Sequence, residues 1–216
     1  LARLKLFDYW RSGSAYRTRI ALNLKGLSYE SQAINLRAMA QRSPEYLKVN
    51  PQGLTPALVV DGRVLTQSLA IFEWLEEAYP EPPLLPGSPW DRAQARAMVA
   101  LVACDIHPLN NVRVLRALKE DFGADESQTN AWTRRWIALG FEALESLIAA
   151  HGGQFAFGDS PTFVDCALVP QIYSADRFGV DMSPYPRISA VGRRCAALPA
   201  FADAHPDQRP DAVVNP

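Results

Sequence analysis

Five of the ten residues from Pro80 to Pro89 are proline, and this segment constrains the fold of the whole chain. Proline lacks the backbone donor and restricts the residue before it, so neither a helix nor a strand runs through such a stretch. Residues 81–89 read as a linker between two domains, 1–80 and 90–216. The hydrophobic pattern changes on crossing it. Before it, strand-like and helix-like stretches alternate: strand at 4–7, helix at 14–25, strand at 29–36, short helix at 44–48, a hairpin at 57–65 turning on Asp61-Gly62, and helix at 67–79. The order β-α-β-α-β-β-α calls for one sheet with helices packed on it. After the linker the pattern is helical: a long helix at 90–119 that Pro108 kinks or breaks, another at 125–150, a buried one at 163–178 and a last one at 187–197. Thr162 with Asp165 three residues on reads as a capping box. The tail from Ala204, rich in proline and charge, is expected to be loose. The fold class is therefore α/β followed by all-α.

Chemistry gathers where strands give way to helices. Arg11, Ser12 and Ser14 lie between the first strand and the first helix. The unpaired amides of a helix start favour negative charge, and hydroxyls beside them can hold an anion or a thiolate. Pro56 opens a strand, an unusual place for proline. Either the Thr55–Pro56 bond is cis, leaving the Thr55 N–H and C=O for a peptide ligand to pair with, or Pro56 is a plain turn proline. Gln67 and Ser68 open the next helix, where they either bind a carboxylate or Ser68 simply caps the helix. A thiol, a peptide backbone and a carboxylate are the three groups these patches suit. Glutathione carries all three.

Other classes are disfavoured. A formal net charge of −1 gives no basic field for nucleic acid or anionic lipid, and no apolar run is long enough to span a membrane. Cys104, Cys166 and Cys195, like His107, His151 and His205, are scattered without metal-ligand spacing, so no metal site is expected. Free cysteines fit a cytoplasmic protein.

The run Arg11-Ser12-Gly13-Ser14-Ala15-Tyr16-Arg17-Thr18-Arg19-Ile20-Ala21-Leu22-Asn23-Leu24-Lys25-Gly26 resembles the zeta class of glutathione transferases, which includes maleylacetoacetate and maleylpyruvate isomerases. Asn50-Pro51 through Pro56, the stretch from Gln67 to Glu77, Asp105-Ile106-His107-Pro108-Leu109-Asn110-Asn111 and the Thr162–Asp165 box are similar to the same family, so the resemblance covers nearly the whole chain. It implies a thioredoxin-like N-terminal domain, an all-helical substrate domain and a homodimer. It implies glutathione as cofactor, held by Ser14, Leu54, Thr55, Pro56, Gln67 and Ser68, with His107 and Asn110 as further contacts. The chain departs from the family at Ser14, where the zeta pattern has a cysteine, as the maleylpyruvate branch also does. Thr55 stands where valine is common.

The activity implied is cis–trans isomerisation of a dicarboxylic diketo acid, maleylacetoacetate or maleylpyruvate, within aromatic or tyrosine catabolism. A thiolate adds to the conjugated double bond, the bond rotates, and the thiolate leaves. Ser12 and Ser14 would keep the sulfur ionised, with Ser14 favoured by its match to the family cysteine. Arg11, Arg113 and Arg177 would pair with the substrate carboxylates and the developing oxygen charge. Two alternatives keep the same fold: conjugation or dehalogenation of small electrophilic acids by glutathione, and a non-catalytic glutathione-fold binding protein.

Overall fold

The computed structural model describes residues 2–214. They form two compact units, one of residues up to Pro83 together with those from Ala197 onward, the other of Leu84–Ala196. The boundary between Pro83 and Leu84 falls inside the expected linker, but the second unit does not run to the C-terminus: the last segment packs with the first unit.

The first unit is built on a four-stranded sheet of order β2-β1-β3-β4, from β1 (Leu4–Asp8), β2 (Glu30–Ala33), β3 (Ala57–Val60) and β4 (Arg63–Thr66). β1 is central, parallel to β2 and antiparallel to β3. Its residues alternate between buried and half-buried, which places Leu4, Leu6 and Asp8 on one face. β2 is shorter than expected and exposed along its length. The β3–β4 hairpin turns on Asp61 and Gly62, both at positive φ, the type I′ signature of that dipeptide.

Three helices accompany the sheet: α1 (Gly13–Leu24), α2 (Pro44–Val49) and α3 (Ser68–Ala78). The sequence suggested one apolar face for α1 through Tyr16, Ile20 and Leu24. In the structure every residue from Ala15 to Leu22 is buried, Arg17 and Arg19 among them. A buried arginine needs a partner. For Arg19 it is Asp8, whose two carboxylate oxygens lie 2.7 and 2.9 Å from Nη1. A second buried pair, Lys25 Nζ to Glu76 Oε2 at 2.9 Å, ties the end of α1 to α3.

The second unit is helical among its described residues: α4 (Pro89–Ala100), α5 (Val112–Phe122), α6 (Glu126–His151), α7 (Phe163–Arg177) and α8 (Pro186–Ala196). Ser88 caps α4 by accepting from Asp91 N–H, and Pro89 sits at its first position, where no donor is needed. The helix expected over 90–119, with a kink or break at Pro108, is indeed interrupted there. A π-helical turn at Leu101–Ile106 and a 3₁₀ turn at His107–Asn110 separate α4 from α5. Pro108 cannot donate into an α-helix, so the chain changes its winding here. Gly140 on α6 faces this stretch, and a Cβ there would collide with Ile106. α6 buries Ile137, Phe141, Leu144 and Ile148, spaced four, three and four apart.

As far as Val214 the tail is helical and packed rather than loose. α9 (Pro199–Ala202) and α10 (Pro210–Val214), with a 3₁₀ turn at Pro206–Gln208 between them, lie in the first unit, and α9 packs against α1. No helix among the described residues is long and apolar enough to cross a membrane, and no cluster of metal-ligating side chains is present among them.

Candidate active site

Ser12 is the N-cap of α1: its Oγ accepts from Ala15 N–H at 3.3 Å while its backbone is extended. Ser14 occupies the first turn. Its Oγ donates to the Thr55 carbonyl at 2.9 Å and lies 3.1 Å from Ser12 Oγ. The Thr55 hydroxyl donates toward Ser12 Oγ at 3.5 Å. Both serines are partly exposed. Three hydroxyls thus converge at the start of α1: the two serines that the sequence places there, and that of Thr55, which it does not. Beside them the Arg11 guanidinium lies over the Trp10 ring, 4.9 Å from its centre.

The hydroxyl hydrogens are unequally committed. Each serine has one. Ser14 spends its hydrogen on the Thr55 carbonyl, so within the serine pair Ser12 is the donor. Its acceptor there is only another neutral hydroxyl. A thiolate is a better acceptor than a hydroxyl because charge-assisted bonds are roughly twice as strong. Ser12 is therefore the hydroxyl placed to turn toward an anion at least cost.

The Thr55–Pro56 bond is cis. The Thr55 carbonyl, expected to await a ligand, is already taken by Ser14. Leu54 is held harder still: its carbonyl accepts from Tyr46 Oη at 2.6 Å and from Asn50 Nδ2 at 2.7 Å. Burial pushes the Tyr46 phenol up to about 12, so it remains a donor at any ordinary pH. Asn50 also accepts from Gln52 N–H. Gly53, at φ 61°, completes the turn, and a Cβ there would lie 2.8 Å from the Gln41 carbonyl. Tyr46 and Asn50 escaped the sequence reading as site residues. The Asn50-Pro51 dipeptide was the available signal, since it marks a turn.

At the start of α3 the cap position is Gln67, not Ser68. Gln67 has φ 69° and makes no side-chain cap bond, and Ser68 is the buried first residue of the helix. The reading of Ser68 as a simple cap is thus replaced by a helix start without a side-chain cap, suited to a carboxylate. Gln67 Nε2 donates to Gln52 Oε1 at 2.6 Å, which leaves its second amide hydrogen to serve a ligand. Nothing in the sequence pointed to Gln52.

In the second unit, His107 and Asn110 share the 3₁₀ turn, which Trp132 anchors by donating from Nε1 to the Leu109 carbonyl at 2.8 Å. The Asn110 amide nitrogen and oxygen are both buried without a hydrogen-bond partner, the condition of a group whose partner is a ligand or water. Arg113, in the first turn of α5, is exposed. Arg177, the last residue of α7, is exposed too, with its guanidinium 4.6 Å from the centre of the Phe178 ring.

Residues 12–78 match the family profile described as glutathione S-transferase, N-terminal domain, and residues 130–194 the one described as glutathione S-transferase, C-terminal domain. The chain is 50% identical over 212 residues to a maleylpyruvate isomerase of Ralstonia sp., covering 97% of this chain and 100% of that one. It is equally 50% identical over 211 residues to a maleylacetoacetate isomerase of Pseudomonas aeruginosa, covering 96% and 98%. Among solved structures it is similar to a holo maleylpyruvate isomerase described as a bacterial zeta-class glutathione S-transferase, with TM-score 0.94, 51% identity and coverage of 96% and 99%. It is also similar to a maleylacetoacetate isomerase of Anaeromyxobacter dehalogenans with GSH bound in the active site, with TM-score 0.89, 46% identity and 98% coverage of each chain.

Proposed function

Since this chain belongs to the zeta class of the glutathione S-transferase family, we propose that it is a glutathione-dependent cis–trans isomerase of small dicarboxylic diketo acids, maleylpyruvate or maleylacetoacetate. The observation that carries the reading is the even 50% identity, over nearly the full length, to one isomerase of each kind.

The donor set fits glutathione. Hydroxyls at a helix start suit its sulfur, and an uncapped helix start with Gln67 and Ser68 suits a carboxylate. Bound there, glutathione supplies a nucleophilic sulfur that adds reversibly to a conjugated double bond. The chain's own task is to keep that sulfur ionised near neutral pH, since a free thiol has a pKa of about 8.5. Ser12 donates to it, with the α1 amides adding positive potential. Ser14 and Thr55 hold Ser12 and the cis turn in register rather than contacting the sulfur first. Arg11, Arg113 and Arg177 pair with substrate carboxylates and favour negative charge on the conjugated oxygen, because a planar guanidinium matches a carboxylate edge. His107 is a secondary polar contact. The reading extends to a homodimer, to the cytoplasm and to the catabolism of aromatic compounds, tyrosine among them. Free Cys104, Cys166 and Cys195 support a reducing compartment.

The test is the rate of isomerisation of each diketo acid, with and without glutathione, while free glutathione is followed. Turnover that needs glutathione yet leaves its concentration unchanged is expected. Stoichiometric loss of glutathione would make conjugation the main activity.

A further inference from the structure

Trp10 stands two residues before Ser12, and charged side chains hold both of its main-chain polar groups. Its N–H donates to Asp211 Oδ2 at 3.0 Å. Its carbonyl accepts from Arg19 Nη2 at 3.0 Å. Asp211 lies in α10, at the other end of the chain. Arg19 is fully buried, clamps Asp8 at the end of β1, and donates from Nε to the Ala204 carbonyl at 3.0 Å. The C-terminal segment therefore reaches the turn twice, once directly and once through Arg19. Further contacts fasten the segment elsewhere on the same unit. Asn23 Nδ2 donates to the Ala200 carbonyl at 2.9 Å, and Arg209 Nη2 donates to Ser31 Oγ at 2.8 Å. His205 meets the Tyr16 ring edge-on at 5.9 Å.

We propose that the segment from Ala197 to Asp211 is a strap that sets the position of the Trp10–Ser14 turn, with Asp211 a positioning residue that acts on Ser12 through Trp10. This rests on the reading that the turn's hydroxyls hold the glutathione sulfur. A turn between a strand end and a helix start has no ladder of its own to hold it. Pinning Trp10 from both sides removes the freedom that would let Ser12 drift, and a misplacement of about 1 Å can cost a catalytic site about a hundredfold. The four charges gathered here, Asp8, Arg19, Arg209 and Asp211, sum to zero. The role proposed for the strap is positional, and Asp211→Asn, which keeps the acceptor and loses the charge, separates it from a field at the sulfur.

Arg19 is unsuited to a test, because removing it strands the buried Asp8 carboxylate. Asp211 is partly exposed, so replacing it strands no fully buried charge. The experiment compares Asp211→Ala, Asp211→Asn and Ser12→Gly in the full chain. It follows the ultraviolet titration of bound glutathione thiolate, kcat, KM for glutathione, and hydrogen exchange at the Trp10 amide. In Asp211→Ala the amide should exchange about tenfold faster, the thiolate midpoint should rise by about half a pH unit and kcat should fall about tenfold, with KM changed less than about twofold. Asp211→Asn retains an acceptor oxygen without the charge and should return all three toward the parent. If Asp211 acted through its charge instead, both variants would lower the midpoint, and the proposal fails. It also fails if Asp211→Ala leaves the midpoint in place while Ser12→Gly raises it, a result that spares the reading of the serines. A midpoint unmoved by Ser12→Gly removes that reading and the strap with it.

Discussion

On the proposed reading, a single hydrogen decides which serine serves the sulfur. The match of Ser14 to the family cysteine favoured Ser14, but position in a motif does not say where a hydroxyl points. Ser14 Oγ donates to the Thr55 carbonyl, and a buried carbonyl left without that donor would be costly to the fold. Ser12 has the cheaper bond to exchange. Removing the Ser12 hydroxyl should therefore raise the midpoint of the bound thiolate by about one pH unit, and more than Ser14→Ala does. Glycine is the right replacement, because an N-cap loses only a few tenths of a kcal/mol on going from serine to glycine, against about 1 kcal/mol for alanine. Titrations of Ser12→Gly and Ser14→Ala with glutathione bound check this. A larger shift in Ser14→Ala would reverse the assignment.

At the scale of elements, the start of α7 shows how a sequence signal acquires its strength from burial. Thr162 and Asp165 form the expected capping box, with both reciprocal bonds present. Asp165 does more than cap: it accepts from Ala156 N–H at 2.9 Å and from Thr162 N–H at 2.8 Å, and Cys195 Sγ lies 3.8 Å away. Burial raises its carboxyl to about 6, against hydrogen bonds that pull it down, and the same burial with the carboxylate beside it pushes the Cys195 thiol up. A carboxyl whose folded pKa lies above its unfolded value of 3.8 holds a proton in the folded state that the unfolded chain has lost. Its contribution to stability is complete below that value, declines as pH rises to about 6, and is flat beyond, a change of up to about 3 kcal/mol. Asp165→Asn should abolish this slope. It should also destabilise α7 by about 1–3 kcal/mol, because its amide nitrogen must face a backbone N–H. Urea unfolding between pH 4 and 8 tests both, and a slope that survives in the variant rules out Asp165 as its source.

At the scale of the whole molecule, two of the three arginines proposed to pair with substrate carboxylates, Arg113 and Arg177, are exposed residues of the second unit. The double variant Arg113→Ala with Arg177→Ala should lower isomerisation at least a hundredfold, two carboxylate contacts being lost at about 1.5–3 kcal/mol each. Glutathione affinity should stay within about threefold of the parent, since the α1 and α3 starts are untouched. Calorimetry and steady-state rates together settle it. Normal turnover in the double variant clears both arginines, and lost glutathione binding moves them into the cofactor site.

Local chemistry made much of this protein legible in advance. Apolar periodicity gave away the four strands and most of the helices before Ala197, Asp61-Gly62 the hairpin, and Thr162 with Asp165 a cap, because each depends on residues near one another in the chain; Pro56 left its isomer open, and the helices of the tail went unread. Tertiary structure decided the rest: the Asp8–Arg19 pair, the Gln67–Gln52 contact, the commitment of Ser14 to Thr55, and the return of the tail to Trp10. Those interactions join residues 11 to 201 positions apart. Their energy comes from burial and from donors left wanting a partner, and neither exists until the chain has closed on itself.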